Sequence, residues 1–203
     1  MQKEFWNERY GKADYVYGEE PNDFLREQLK PGDGLWLFPA EGEGRNAVYA
    51  ASLGLKVFAF DQSEAGRTKA IRLAEKRGLQ IEYRLGPVQD IELPKAHFDG
   101  AALIYAHFLP EFRVAAYRKI TESLKPGARI IFEAFSKRQV EYQARGEKSG
   151  GPQDIAMLFS EDEVRSLFAG IEFDLLEARE IELREGEHHH GKGHVVRFTG
   201  QKK

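Results

Sequence analysis

Along this chain, short apolar runs alternate with stretches in which apolar residues recur every three or four positions. The first pattern is that of strands and the second that of helices. Leu35 to Pro39 is an apolar run that stops at a glycine-rich turn, Ala40-Glu41-Gly42-Glu43-Gly44, with a helical pattern immediately behind it. Lys56 to Asp61 reads as the next strand and ends in a carboxylate. Ser63 can cap a helix running to Arg77, with Ala65, Ile71 and Ala74 in its inner stripe and Gly78 as its stop. Ile81 to Leu85 alternates as a third strand, and the loop Gly86 to Ile91 follows it. Residues 98–106 form a near-continuous apolar run, the mark of a central parallel strand covered on both faces. Phe112, Ala116, Ile120 and Leu124 mark a helix that Lys125-Pro126-Gly127 ends, and Arg129 to Ala134 is the fifth strand.

The two ends of the chain differ from this middle. Residues 5–20 carry Trp6, Tyr10, Tyr15 and Tyr17 before any strand. For Tyr10 and Tyr17 two readings stand open, aromatic packing and a flap over a ligand, since tyrosine offers an apolar face and a polar edge. Asn22 is placed to cap a short helix whose inner side holds Phe24, Leu25 and Leu29. Residues 136–153 are polar and glycine-rich, which predicts a surface loop with the length of a lid. Ser160-Glu161-Asp162-Glu163 is a capping box, flanked by the staple pair Phe159 and Val164, and its helix reaches Phe168. Ile171 to Leu183 and Val195 to Thr199 then read as two strands of a hairpin. Five strands alternating with helices, then an antiparallel pair, predict a mostly parallel three-layer α/β sheet. No internal repeat or domain boundary interrupts it, so residues 1–203 are expected to form one domain, with an aromatic flap and helix over 1–30 and a lid over 136–153.

Composition narrows the function classes. The 203 residues are 41% hydrophobic and 31% charged, as in an ordinary globular protein. A net charge of −3 leaves no basic excess to neutralise phosphates, so nucleic acid is not the expected partner. With no cysteine, disulfides, thiolate catalysis and Cys-based metal sites are excluded. Met1 to Trp6 lack the apolar core of a signal peptide, and no run approaches the ~20 apolar residues of a membrane span, so a cytoplasmic location is expected.

The chemistry centres on the first strand, turn and helix. Gly42 and Gly44 let the backbone bend sharply and lie against a ligand. Backbone N–H groups at such a turn face nucleotide-like molecules, and an acid ending the second strand, here Asp61, takes the ribose hydroxyls. Gly42-x-Gly44-x-x-Ala47 also fits a loose dinucleotide fingerprint, so an NAD-dependent oxidoreductase is the alternative enzyme. The aromatic segment before the first strand, the absence of a Tyr-x-x-x-Lys pair and the terminal hairpin count against it. A non-catalytic cofactor-binding protein is the alternative from another class. His107 opens His107-Phe108-Leu109-Pro110 and reads equally as a packed histidine or a substrate contact. In Glu187-His188-His189-His190, alternation sends His188 and His190 to one side and His189 to the other. If the sixth strand is parallel to the first five, this hairpin stands on the edge of the glycine-rich turn, and His188 and His190 are the candidates for the substrate side. No metal-ligand set is evident.

The chain resembles a class I S-adenosylmethionine-dependent methyltransferase of the branch related to tellurite-resistance and thiopurine methyltransferases. The residues that carry the resemblance are Phe5 to Tyr10, Tyr17 to Asn22, Ala40 to Ala47, Phe60 to Ser63, His107 to Pro110, Leu124 to Gly127, Gly150 to Pro152 and Gly191 to Lys202. It implies a three-layer αβα Rossmann-like methyltransferase fold, a seven-stranded, mostly parallel sheet whose antiparallel last strand inserts between the fifth and sixth. It implies S-adenosylmethionine as cofactor, held by Ala40, Glu41, Gly42, Gly44, Asn46, Asp61, Gln62, Gln89, Asp90, Ile91 and Tyr105. Relatives carry an acid where this chain has Phe38 and a glycine where it has Ala40, and Glu41 could supply the missing carboxylate. The methyl acceptor is expected to be a small molecule, with a soft sulfur, selenium or tellurium nucleophile in view, and the protein a monomer or homodimer.

Overall fold

Strand β1 (Leu35–Pro39) turns Leu37 to one face of a sheet and Trp36 and Phe38 to the other, and all three are buried, so it needs cover on both sides. The computed structural model, which describes residues 3–186 and 188–203, supplies that cover with helices. In chain order the elements are α1 (Lys3–Tyr10), α2 (Asp23–Gln28), β1, α3 (Arg45–Ser52), β2 (Lys56–Asp61), α4 (Glu64–Lys76), β3 (Glu82–Leu85), β4 (Phe98–Ile104), α5 (Pro110–Ser123), β5 (Leu124–Phe135), α6 (Gln139–Ala144), a 3-10 turn (Ile155–Met157), α7 (Glu161–Leu167), β6 (Ile171–Glu185) and β7 (His189–Lys202).

The seven strands are ordered β3-β2-β1-β4-β5-β7-β6. The pairings β1–β2, β1–β4, β2–β3 and β4–β5 are parallel. Strand β7 runs antiparallel to both β5 and β6, so β6 points the same way as the first five. The expected three-layer αβα sheet with an antiparallel last strand is the observed one. On one face Leu37, Leu103, Phe132 and Phe198 pack with Tyr117 and Ile120 of α5 and Val164 of α7. On the other, Trp36, Phe38 and Ile131 pack with Phe24 and Leu25 of α2 and Ala47 and Ala50 of α3. The chain passes from β1 outward to β2 and β3 and then crosses back to β4 on the other side of β1, and this reversal opens a crevice at the C-terminal ends of β1 and β4.

Caps end the helices where the sequence places them. Asn22 Oδ1 accepts from Leu25 N at 2.9 Å, and Ser63 Oγ accepts from Gly66 N at 3.1 Å. Ser160 and Glu163 form the capping box, with Ser160 N donating to Glu163 Oε2 at 2.8 Å. Other elements differ from the sequence pattern. Phe112 is 43% exposed, because a four-residue spacing advances about 40° per step around a helix and drifts off the buried face. Strands β6 and β7 pair from Ile171↔Lys202 to Glu185↔His189, with one register shift between Phe173 and Leu175, well beyond the predicted hairpin. Charged residues along β6 mask the alternation there. Residues 136–153 contain α6, whose Gln139 is fully buried and donates from Nε2 to Ser149 Oγ at 2.8 Å. Among the described residues, no helix is long and apolar enough to cross a membrane. Glu187 of the histidine-rich turn lies outside the described residues.

Candidate active site

The crevice deepens into a cavity of about 540 Å³. One half is built from the strand ends: Ala40 and Glu41 after β1, Asp61 and Gln62 after β2, Pro87 to Gln89 after β3, and Tyr105 after β4. The other half is aromatic, walled by Trp6, Tyr10 and Tyr17 from the N-terminal segment, Phe108, Phe135 and the imidazoles of His107 and His189. Ala40 and Tyr105 have φ of 51° and 52°, left-handed values that strain a residue with a Cβ. Such strain concentrates at sites whose surroundings hold the backbone in place. Here it sits on both lips of the crevice.

Asp61 is buried at the end of β2, and the fold fixes its carboxylate with backbone N–H groups. Gly42 N donates to Oδ2 at 3.1 Å and Ser63 N to Oδ1 at 2.8 Å. Burial raises its pKa to about 6, against the pull of those hydrogen bonds. Glu41 Oε1 accepts from Asn46 N at 2.9 Å and Ala47 N at 2.8 Å, so this side chain caps the N-terminus of α3. Burial raises its pKa to about 7. Phe38 is fully buried in the core and takes no part in the cavity.

Behind the aromatic half lies a buried polar network. Asn22 Nδ2 donates to Glu133 Oε1 at 2.8 Å and to Glu185 Oε1 at 2.9 Å. Tyr105 Oη donates to Glu133 Oε1 at 3.0 Å, and Arg45 Nη2 pairs with Glu185 Oε2 at 2.8 Å. Burial raises Glu133 to a pKa of about 7. Burial also opposes ionisation of Glu185, but Arg45 and His189 overcome it and hold this carboxyl at about 2. His189 Nδ1 lies 3.2 Å from Glu185 Oε2. His107 Nδ1 lies 3.0 Å from the Met157 carbonyl, which obliges that nitrogen to carry the proton. Its Nε2 is buried with no hydrogen-bond partner, and burial lowers its pKa to about 4.

The cavity thus brings together Ala40, Glu41, Asn46, Asp61, Gln62, Gln89, Tyr105 and His107 of the predicted set. Gly42 and Gly44 shape the turn from beneath, against Tyr10 and Ala70 respectively, and do not line the cavity. Two loop residues are corrected. Asp90 is exposed and points off the cavity, and Ile91 is buried in the core against Gly86. The histidine assignment is corrected as well. The hairpin stands on the predicted edge, but His189 faces the cavity, while His190 is exposed and His188 lies outside the lining. The reason is register: His189 pairs with Glu185, and both side chains turn into the polar network. Arg9, Arg45, Trp6 and Glu133 were missed. The only sequence signal for Arg45 was its place in the first turn behind Gly44. Among the described residues, no group of three or more His, Asp or Glu side chains is placed to hold a metal ion.

The family model of a methyltransferase domain matches residues 39–127, the segment from the end of β1 to the start of β5. No curated protein matches the sequence. Among solved structures, the chain is similar to a protein studied for conversion of a disulfide bond into a thioacetal group during echinomycin biosynthesis. The two share 18% identity with a TM-score of 0.77, over 99% of this chain and 92% of that one. It is similar to an S-adenosylmethionine-dependent methyltransferase from Methanosarcina mazei, with 20% identity and a TM-score of 0.70, over 90% and 98% of the two chains. It is also similar to TehB from Haemophilus influenzae, with 17% identity and a TM-score of 0.67, over 99% of this chain and 67% of that one. The matched segment is less than half of the chain, and the likeness to these solved structures is one of fold.

Proposed function

We propose that this protein transfers the methyl group of S-adenosylmethionine to a small-molecule acceptor. The observation that carries this reading is the two-part cavity, of a size that suits small ligands and not a macromolecular chain. Asp61 would hold the ribose, Ala40 and Glu41 the methionine end, and Gln62, Val88 and Gln89 the adenine. The buried Asp61 carboxylate, with each oxygen fixed by one backbone donor and free to accept again, fits a diol. When bound there, the cofactor supplies a methyl group activated by its positive sulfur.

The chain's own residues then position and exclude. Trp6, Tyr10, Tyr17 and Phe135 wall the acceptor half and keep water from it, and their ring faces attract a cationic sulfur. Holding a nucleophile in line accounts for much of such a barrier. A soft sulfur or selenium nucleophile is compatible with this apolar lining and is retained as one acceptor class. The likeness to TehB is one of fold, and chalcogen oxyanions enter the acceptor screen on that ground. Nucleic acid and membrane have no place in this reading, and the enzyme works as a monomer or homodimer in the cytoplasm.

The test is calorimetry with S-adenosylhomocysteine, followed by cofactor turnover against thiols, thiopurines, chalcogen oxyanions, phenols and amines. Turnover with any of them supports the reading. Binding without turnover across the whole panel favours a non-catalytic cofactor-binding protein. Preferential binding of NAD would overturn the proposal.

A further inference from the structure

The cavity wall opposite the strand ends holds an imidazole set up unlike a packed core histidine. His189 is buried, and its ring centroid lies 4.5 Å from Tyr17, 4.7 Å from Tyr105 and 5.3 Å from Phe135, all cavity residues. Its Nδ1 faces Glu185 Oε2 at 3.2 Å. Arg45 Nη2 at 2.8 Å and Asn22 Nδ2 at 2.9 Å bind the same carboxylate and keep it an acceptor. A carboxylate can only receive a proton there, so the imidazole carries its hydrogen on Nδ1 and leaves the lone pair on Nε2.

Backbone runs beside the Cδ2–Nε2 edge. A Cβ at Gly150 would stand 2.8 Å from His189 Cδ2 and 3.3 Å from Nε2, and the residue's φ of +80° also excludes ordinary side chains. Gly150 thus passes close to the ring edge with no side chain of its own. Nearby, His107 is locked in the same tautomer by the Met157 carbonyl, and its Nε2 has no partner. Both rings pack on Phe135. The His189 lone pair repels an anionic nucleophile and attracts an O–H or N–H group, while His107 Nε2 stays buried beside the same phenylalanine.

We propose that His189, oriented by Glu185, is the base that takes the proton of the methyl acceptor, and that the acceptor presents a neutral hydroxyl or a neutral amine N–H to the wall that holds His189. This rests on the methyltransferase reading and names the substrate class for it. In the step, a lone pair of the acceptor's oxygen or nitrogen forms the new bond to the methyl carbon. The carbon–sulfur bond breaks and its electron pair stays on sulfur, which becomes a neutral thioether. The acceptor's proton passes to His189 Nε2, the imidazolium formed is stabilised by Glu185, and its Nε2 proton then passes to solvent, which restores the neutral base. The charged and titratable groups facing His189 are Glu185 on β6, Arg45 on α3, Arg9 on α1, and Tyr17, Tyr105 and His107 from the loops.

The experiment uses the full chain loaded with S-adenosylhomocysteine and labelled with ¹⁵N in histidine. At neutral pH the His189 resonances, assigned by their loss in His189→Asn, should show the Nδ1–H tautomer. Adding phenol, which is un-ionised at this pH (pKa about 10, as for the tyrosine side chain), should shift the Nε2 signal. An Nε2–H tautomer, or no shift on adding the phenol, overturns the proposal. In turnover with phenols and amines, His189→Asn should lose about 10² to 10⁴-fold in kcat with little change in KM, and the acidic limb of the pH profile with it. Retained kcat, or turnover confined to thiols and selenides, also overturns it. Gly150→Ala would set a Cβ 2.5 Å from the His188 carbonyl oxygen and 2.8 Å from His189 Cδ2, so it should displace the His189 ring and lower kcat/KM at unchanged affinity for S-adenosylhomocysteine. This second variant keeps the test decisive if His189→Asn fails to fold. Failure of the wild-type protein to bind S-adenosylhomocysteine would strike the methyltransferase reading itself, a result the tautomer measurement does not mimic.

Discussion

Replacing Asp61 by asparagine isolates the charge at the end of β2 while keeping most of its shape. In the structure each carboxylate oxygen already accepts one backbone N–H, from Gly42 at 3.1 Å and Ser63 at 2.8 Å. The amide can satisfy only one of these and turns its NH2 toward the other donor. On the ligand side, a hydrogen bond to a charged acceptor contributes about 1.5–3 kcal/mol. Losing one such bond lowers affinity for S-adenosylhomocysteine by roughly tenfold to a few hundredfold. The pH dependence gives a second, independent signature. Burial holds Asp61 at a pKa of about 6, and ribose hydroxyls favour its ionised form, so binding releases a proton. Affinity of the wild-type protein should therefore rise as pH increases from 5 to 7. In Asp61→Asn the rise centred near 6 should vanish, leaving the later contribution of Glu41, whose pKa is about 7. Calorimetry at several pH values, on samples whose thermal unfolding shows them folded, reads both effects. Equal affinity in the two proteins, or an equal slope between pH 5 and 7, would refute the reasoning.

Two further outcomes concern stability. Gly44→Ala would place a Cβ 2.5 Å from Ala70 Cβ and 2.8 Å from its Cα, at a φ of +88°. Overpacking of about 1–3 kcal/mol and left-handed strain of about 1–2 kcal/mol should move the urea midpoint down, and an unchanged midpoint would show that α3 and α4 yield freely. Glu133 has a folded pKa of about 7 against an ordinary 4.5, so its burial costs nothing below pH 4.5 and destabilises increasingly as pH rises through 7. Glu133→Gln removes that titration, and between pH 5 and 8 it should lose roughly 3 kcal/mol less stability than the wild type. Parallel stability curves for the two proteins would contradict this.

The strands and caps were legible because each is written in local residues. The run from Leu35 to Pro39 and the pair Ser160 and Glu163 need no tertiary information. Asp61 was legible for a related reason, since a strand end behind a glycine turn fixes its place in a βαβ unit. The histidine that faces the cavity was not. Alternation separates His189 from its two neighbours but cannot say which side is inside, and that choice is made by the pairing of His189 with Glu185. Helix α1 carries only a weak amphipathic signal and is held by Tyr10 over Gly42, a contact across the fold. Asp90 and Ile91 stand outside the cavity lining because a loop's backbone direction decides which of its adjacent residues turns inward. Arg45 and Glu133 show the same limit, since buried charges become intelligible only beside their partners.

Asn22 joins Glu133 and Glu185 through a single amide nitrogen, across 111 and 163 residues of chain. This knot has a temporal meaning. While the chain is being synthesised, β1, β2 and the glycine turn can form a nucleotide-shaped pocket long before β6 and β7 exist. The wall that meets the acceptor, and the partners that quieten Asn22 and Arg45, arrive only with the last strands. A nascent chain could therefore hold a reactive methyl donor yet have nowhere to deliver it. Under the proposed methyl transfer, activity would depend on the last strands being in place, since they complete the cavity wall.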